Sequence, residues 1–228
     1  MAGVHGLRMS KSHGLSTTKV HGLSILGTVE VFHETWDSCS STTVFAGEPG
    51  TAGNRPDEAN WAMFSGNDPD KGITTNGSTL VFANTAGTMY YLRNNSVGGS
   101  SVYVDYTFKI TLASDTSGSD LTTIQVKSAD STTLSIEAKM YSASASWNYT
   151  EDASPDYALG VEFVLQIRLN YTTNKATFYI DGVLQGGPYD WPDAVGTQEQ
   201  IYIKIMNTGD NVNDNPTFDD IVVGSGLF

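Results

Sequence analysis

From Leu165 to Val223 the chain repeatedly alternates apolar and polar residues with a period of two, a pattern that excludes most folds. It does so in four runs: Leu165 to Asn170, Ala176 to Gly182, Ile201 to Ile205 and Pro216 to Val223. Successive side chains of an extended strand point to opposite faces, so each run reads as a strand with one buried face. Asn174 follows the first run, and Asp181-Gly182 closes the second. Both sites hold residues that tolerate positive φ, which is hairpin chemistry. This half of the chain is expected to be antiparallel sheet.

The same pattern extends backwards. Glu30 to Trp36 reads as the first strand of the body, with short strands around Trp61 to Phe64, Thr79 to Ala83 and Thr88 to Arg93. In Val102 to Leu112, the residues Val102, Val104, Tyr106, Phe108, Ile110 and Leu112 face one way. Tyr103, Asp105, Thr107, Lys109 and Thr111 face the other, which predicts one sheet face in the core and one in water. Leu121 to Lys127 and Thr132 to Met140 are the next two strands, with Leu134, Ile136, Ala138 and Met140 inward, and Val161 to Leu169 alternates again. Tyr141 to Tyr157 reads as loop plus a weak strand. No stretch holds a 3.6-residue period over ten residues, so helix is expected to be scarce and the strands to number about a dozen.

Charge narrows the partners. The net charge is −13 and the pI near 4.4, so the body would repel phosphates and is not expected to bind nucleic acid. Cys39 is the one cysteine, so no intrachain disulfide supports the fold. No run reaches the 18 or so apolar residues a membrane helix needs. The first residues lack a charged-then-apolar signal, so a classical secretory route is not expected.

Residues 1 to 28 differ from all that follows. They carry Arg8, Lys11 and Lys19 and no Asp or Glu, which leaves −16 on the remainder of the −13 chain. They also repeat: His5-Gly6-Leu7, His13-Gly14-Leu15 and His21-Gly22-Leu23 each open an octad. An even period puts the histidines on one side of an extended chain, about 26 Å apart at roughly 3.3 Å per residue. Three short copies cannot bury a core of their own. The segment reads as a basic arm, 1–28, anchoring a body, 29–228. Its anchoring residues would be His5, Leu7, His13, Leu15, His21 and Leu23, and its partners other copies of the chain or other structural proteins of an assembly.

With these strands placed, residues 29 to 228 resemble the concanavalin A-like jelly roll, shared by legume lectins, laminin G-like domains and several glycan hydrolases. The hairpin from Gln166 to Gly182 looks like that family's paired strands and their Tyr-x-Asp-Gly turn. Glu34-Thr35-Trp36-Asp37-Ser38 and Phe218-Asp219-Asp220-Ile221 look like its opening and closing strands. The resemblance implies an all-β sandwich of two antiparallel sheets, with the extended N-terminal arm lying outside it.

It also implies where chemistry would sit. Laminarinase-like hydrolases of this fold use Glu-x-Asp-x-x-Glu on a strand, putting acid and nucleophile on one face at about 5 Å; no such triplet occurs here. The Arg-rich and Gln-x-His strands of the fold's polysaccharide lyases are missing too, and nothing marks a nucleophile, so the chain is not expected to be an enzyme. Many domains of the fold tie first strand to last through calcium, a cation that takes six to eight hard oxygens. The matching positions are Glu34, Asp37, Asp219 and Asp220, with only one of the two adjacent aspartates able to face the site. The oxygen-rich Asp210 to Asn215 lacks the register of an EF-hand loop and reads as a turn. Sugar-stacking aromatics would be Trp147, Tyr149 and Tyr157 in one region and Tyr189 and Trp191 in another, with packing of a loop the competing role for Trp191. These features together predict a structural decoration protein on a virus or phage surface, held by its arm and presenting a lectin-like domain to a glycan. A free-standing extracellular lectin or carbohydrate-binding module is the alternative, and a divergent glycan hydrolase or lyase a more distant one.

Overall fold

A computed structural model of the chain describes residues 19–20, 23–24, 29–37, 61–63, 73–75, 78–82, 89–94, 103–112, 121–128, 136–141, 145–147, 150–152, 157–190, 198–206 and 216–228. Among the described residues there is no helix. In chain order the strands are β1 (Lys19–Val20), β2 (Leu23–Ser24), β3 (Val29–Glu34), β4 (Trp61–Met63), β5 (Ile73–Thr75), β6 (Leu80–Phe82), β7 (Met89–Asn94), β8 (Tyr103–Thr111) and β9 (Leu121–Ser128). There follow β10 (Ile136–Met140), β11 (Ala145–Trp147), β12 (Thr150–Asp152), β13 (Glu162–Asn170), β14 (Lys175–Ile180), β15 (Val183–Asp190), β16 (Gln198–Met206) and β17 (Thr217–Ser225).

They form two large antiparallel sheets and one small pair. The first large sheet runs β12-β11-β10-β9-β16-β7-β4, and the second runs β15-β14-β13-β8-β17-β6-β5. In the second sheet β3 also pairs with β17, alongside the half that β6 leaves open: β6 takes Thr217 and Phe218, β3 takes Ile221 to Ser225. The opening and closing strands are therefore neighbours, as the resemblance implies. β1 and β2 pair with each other, Val20 opposite Leu23, so the chain reverses between the second and third octads. The other anchoring residues of the arm lie outside the described residues.

The alternation in the sequence becomes the core. Val104, Tyr106, Phe108, Ile110 and Leu112 are buried, as are Phe163, Leu165, Ile167 and Leu169 beside them and Ala176, Phe178 and Ile180 beyond. From the other sheet come Ile124, Val126, Ile136, Ala138, Met140, Trp147, Ile201 and Ile203, and all join one cluster. The sheets meet where Trp147 of β11 lies 5.6 Å, centroid to centroid, from Phe178 of β14. Aromatic side chains remove large apolar areas from water, so this contact is a major part of the join. Val102 and Leu134, expected inward, lie outside the described residues.

The hairpins follow from their turn residues. Asn170 Oδ1 accepts the backbone N–H groups of Thr172 and Thr173, and Asn174 at φ 53° returns the chain into β14. Asp181 and Gly182, at φ 49° and 78°, are the two-residue loop that sets Ile180 opposite Val183. A right-twisted hairpin needs that double positive φ. The chain then continues as β15 where a loop is expected from the sequence. The Gly186-Gly187-Pro188 stretch is accommodated because β15 is an edge strand with register shifts against β14. At an edge, a proline without an N–H costs no ladder bond.

Asp105 corrects the expectation that its face of β8 meets water. It is 0% exposed, paired through both oxygens with Arg168 of β13 at 2.7 and 3.0 Å, and accepts the Leu227 N–H at 2.9 Å. The Arg168 guanidinium also donates to the Phe228 main-chain oxygen and lies 4.3 Å from the Phe228 ring centroid. The last residues thus cover the outer face of the second sheet.

Gly224 marks the tightest approach in that sheet. A Cβ there would overlap the Val29 carbonyl oxygen and crowd the Glu30 backbone, where β3 bulges against β17. Backbone cannot yield as a flexible side chain can. Gly224→Ala is expected to destabilise the fold by about 1–3 kcal/mol, read as a lower urea midpoint with an unchanged slope; a wild-type midpoint would contradict this packing.

Candidate functional site

The outward face of the seven-stranded sheet is built from the positions out of phase with the core. On β9 these are Thr123, Gln125 and Lys127, on β10 Glu137 and Lys139, on β11 Ser146, and on β16 Gln200, Tyr202 and Lys204. The register lines them up in rungs: Ser146, Lys139, Thr123 and Lys204 across one, and Glu137, Gln125 and Tyr202 across the next. Lys127 stands opposite Gln200 on a third. Arg93 of β7 occupies the rung of Tyr202.

This face is polar and yet shielded. Thr123, Gln125, Glu137 and Gln200 are 4%, 7%, 5% and 6% exposed. Gln125 Nε2 donates to Glu137 Oε2 at 2.5 Å. A carboxylate only accepts, so the amide orientation is decided and Gln125 Oε1 is left as an acceptor. That oxygen is buried with no hydrogen-bond partner. Glu137 Oε1 lies 2.6 Å from the Lys139 ammonium, an ion contact without hydrogen-bond geometry. A buried acceptor left unpaired costs about 1–3 kcal/mol, so such oxygens usually have a partner that completes them.

This face carries charge of both signs. Lys127, Lys139 and Lys204 stand on it with Glu137, and Glu151 of β12 extends the Ser146 rung. Burial holds the Lys204 ammonium below its usual pKa, and Lys127 and Lys139 push it further down against Glu137. The Lys127 ammonium sits 4.7 Å from the Tyr202 ring centroid, and the Tyr202 hydroxyl donates to Gln200 at 3.0 Å. The face therefore offers ammonium donors, a phenol, and amide and carboxylate acceptors along neighbouring strands.

The aromatics expected to stack on sugars are placed differently. Trp147 is 0% exposed and packs on Phe178, so no pyranose can reach either face of its ring. Tyr189 lies 6.1 Å from the same Phe178, over Gly186, which has no side chain to obstruct it. Tyr157 stacks on Phe163 at 4.9 Å and donates to the Tyr141 carbonyl, and burial pushes its phenol pKa up. The two regions do converge, but on the core. Tyr149 and Trp191 lie outside the described residues.

In fold, the chain is similar to a protein described as a sialidase, with a TM-score of 0.57 at 12% identity over 74% of this chain and 17% of that one. It is similar to the Emp46p carbohydrate recognition domain in a potassium-bound form, at TM-score 0.55 and 11% identity over 74% of this chain and 89% of that domain. A protein of unknown function with a galectin-like fold from Bacillus subtilis gives 0.51 at 9% identity, over 72% of this chain and 88% of that one. The fold is the concanavalin A-like jelly roll. No family model matches the sequence, and no curated protein does.

The Emp46p domain is also described in a metal-free form, and the four acids expected to hold calcium can be tested for fit. They do not fit. Glu34 points inward from β3, is 0% exposed, and accepts the Trp36 N–H at 2.9 Å. Asp219 and Asp220 stand on the outer face, and both meet Lys109 of β8: Asp219 at 3.7 Å, Asp220 in a closer ion pair. Simple alternation would send these neighbours to opposite faces. A bulge between Phe218 and Ile221 sets two residues of β17 against one of β8, so both turn towards the lysine. His33 Nε2 also lies 3.6 Å from Asp220. Among the described residues no three His, Cys, Asp or Glu side chains gather as a metal site. The positive charge between these aspartates belongs to the protein.

Burial raises the Asp219 pKa, Asp220 adds to the rise, and Lys109 opposes it. A carboxyl whose folded pKa lies above its unfolded value of 3.8 stabilises the fold below 3.8, and that stabilisation is lost as pH rises through the folded value. At neutral pH the ionised group is therefore a cost. Asp219→Asn is expected to raise the melting temperature at pH 7, with the gain shrinking below pH 3.8. A lower melting temperature at pH 7 would show that the Lys109 attraction outweighs burial.

Proposed function

We propose that this chain is a carbohydrate-binding protein that holds a glycan on the outward face of its seven-stranded sheet. The observation that carries the reading is Gln125. Its amide is fixed by Glu137, and its shielded oxygen still lacks a donor; a sugar hydroxyl would complement it once the neighbouring side chains on this face shift aside. Around it Ser146, Lys139, Tyr202 and Lys204 supply the donors and acceptors that a polyhydroxylated ligand exchanges for water. A jelly roll shared with a carbohydrate recognition domain supports the reading as fold-level analogy. The reading is of binding rather than turnover.

In this reading the protein is a structural, decoration-type component of a larger assembly, a virus or phage particle, and residues 1–28 anchor it. The triple His-Gly-Leu octad and the contrast between a +3 arm and a −16 remainder support it. Opposite charges steer an arm onto a neighbouring body, and three linked apolar anchors gain avidity although each alone is weak.

The glycan reading is tested by electrophoresis through gels cast with a panel of neutral and acidic polysaccharides. At least one is expected to retard the protein. Gln125→Ala and Tyr202→Ala should each weaken that retardation about tenfold, the loss of one buried hydrogen bond. A protein that no polysaccharide retards would overturn the proposal. For the arm, a chain lacking residues 1–28 is expected to stay folded and soluble but to fail to join its assembly. Undiminished self-association or particle binding by the shortened chain would remove the arm from that role.

A further inference from the structure

We infer that the Lys109 ammonium takes the role that a calcium ion was expected to take, so that β8, β17 and β3 are joined on their outer face without a divalent cation. Two observations carry this. The first is the bulge in β17, which turns both Asp219 and Asp220 towards a single side chain of β8. That side chain is a lysine, not a further oxygen ligand. It lies 3.7 Å from Asp219 and meets Asp220 in a closer ion pair. The hydrogen bond to Asp220 raises the Lys109 pKa most; burial opposes the rise, and the charges of Asp220, Asp219 and Glu162 add to it. The group is therefore a cation wherever the carboxylates are ionised.

The second observation is the far side of Asp220. Its Oδ2 meets Lys109, while its Oδ1 faces His33 Nε2 of β3 at 3.6 Å. His33 Nδ1 in turn lies 3.2 Å from Glu30. Lys109, Asp220, His33 and Glu30 thus form a row across three strands, from the interior of the sheet to the first strand of the body. A calcium site tying first strand to last would need an oxygen from β3 here, and β3 presents an imidazole nitrogen. The nearest acid expected to serve, Glu34, points inward and accepts the Trp36 N–H.

The chemistry favours the lysine over an ion. Calcium takes six to eight oxygens and prefers carboxylates and carbonyls to imidazole. Two aspartates supply two oxygens each, and an ammonium in contact with both repels a second cation. Being tethered to the chain, that ammonium cannot be lost to a chelator. Without it Asp219 and Asp220 would face each other uncompensated, and Glu162 and Asp37 both lie near enough to disfavour a charged Asp219 further.

The experiment is thermal unfolding of the full chain and its variants at pH 7, in excess EDTA and in millimolar calcium chloride. The wild type and Asp220→Asn should respond alike to calcium, because no ion is held between the aspartates. Lys109→Gln should melt a few degrees below the wild type in EDTA, and Lys109→Arg, which keeps the charge, should lose less. In an Asp220→Asn background the Lys109→Gln change should cost markedly less, as expected of two groups in contact. That comparison separates charge compensation from the packing of the lysine methylenes. A calcium stabilisation present in the wild type and lost in Asp220→Asn overturns the inference, since a divalent ion would then be held here. A Lys109→Gln cost that is absent, or that is undiminished in the Asp220→Asn background, overturns it as well.

Discussion

Both flanks of β17 are occupied, and the rest of the eight-stranded sheet depends on that pairing. On one side β8 runs along β17; on the other, β6 and β3 divide its length. Every backbone N–H and C=O withdrawn from water needs a partner, and a strand paired on both flanks meets that demand for its neighbours as well as itself. It also ties the beginning of the body to its end, since Ile221 sits opposite Glu34. Only glycine at 224 lets β3 come so close.

The same sheet shows how an acidic chain manages buried charge. Asp105 lies at the centre of its outer face, wholly buried, and would be costly alone. Arg168 meets it through two bonds, and the Leu227 N–H supplies a third. Removing one partner of such a pair leaves a buried charge uncompensated, a loss of about 3–5 kcal/mol. Lys109 plays a comparable part between Asp219 and Asp220. On the seven-stranded sheet Lys139 likewise meets Glu137 at 2.6 Å, beside the unpaired Gln125 acceptor.

Much of the fold was legible because alternation is a local property. The buried set of β8, Val104 through Leu112, was evident in the spacing of its apolar residues, as were the turns at Asn174 and at Asp181-Gly182. The aromatics were harder. Trp147 sits in a chain segment that looks like a loop, yet its rung opposite Ala138 carries it into the core against Phe178. The residues of the candidate face were hidden for the opposite reason. Gln125, Glu137, Lys139 and Lys204 occupy the outward phase of their strands, which from sequence reads as ordinary solvent-facing surface. The one signal available was three lysines in that phase of a chain with few cations.

The sequence by itself determined the strands, the hairpin turns, the inward faces and the charge contrast between arm and body, because each depends on residues adjacent along the chain. Tertiary structure alone decided which strands became neighbours, and with that which side chains share a face. Gln125 and Glu137 are twelve residues apart, and Asp105 and Arg168 sixty-three; no local pattern links either pair. The bulge that turns both Asp219 and Asp220 to Lys109 belongs to the same class. It arises from matching β17 to β8, and a strand's register against its partner is a property of two segments, written in neither one.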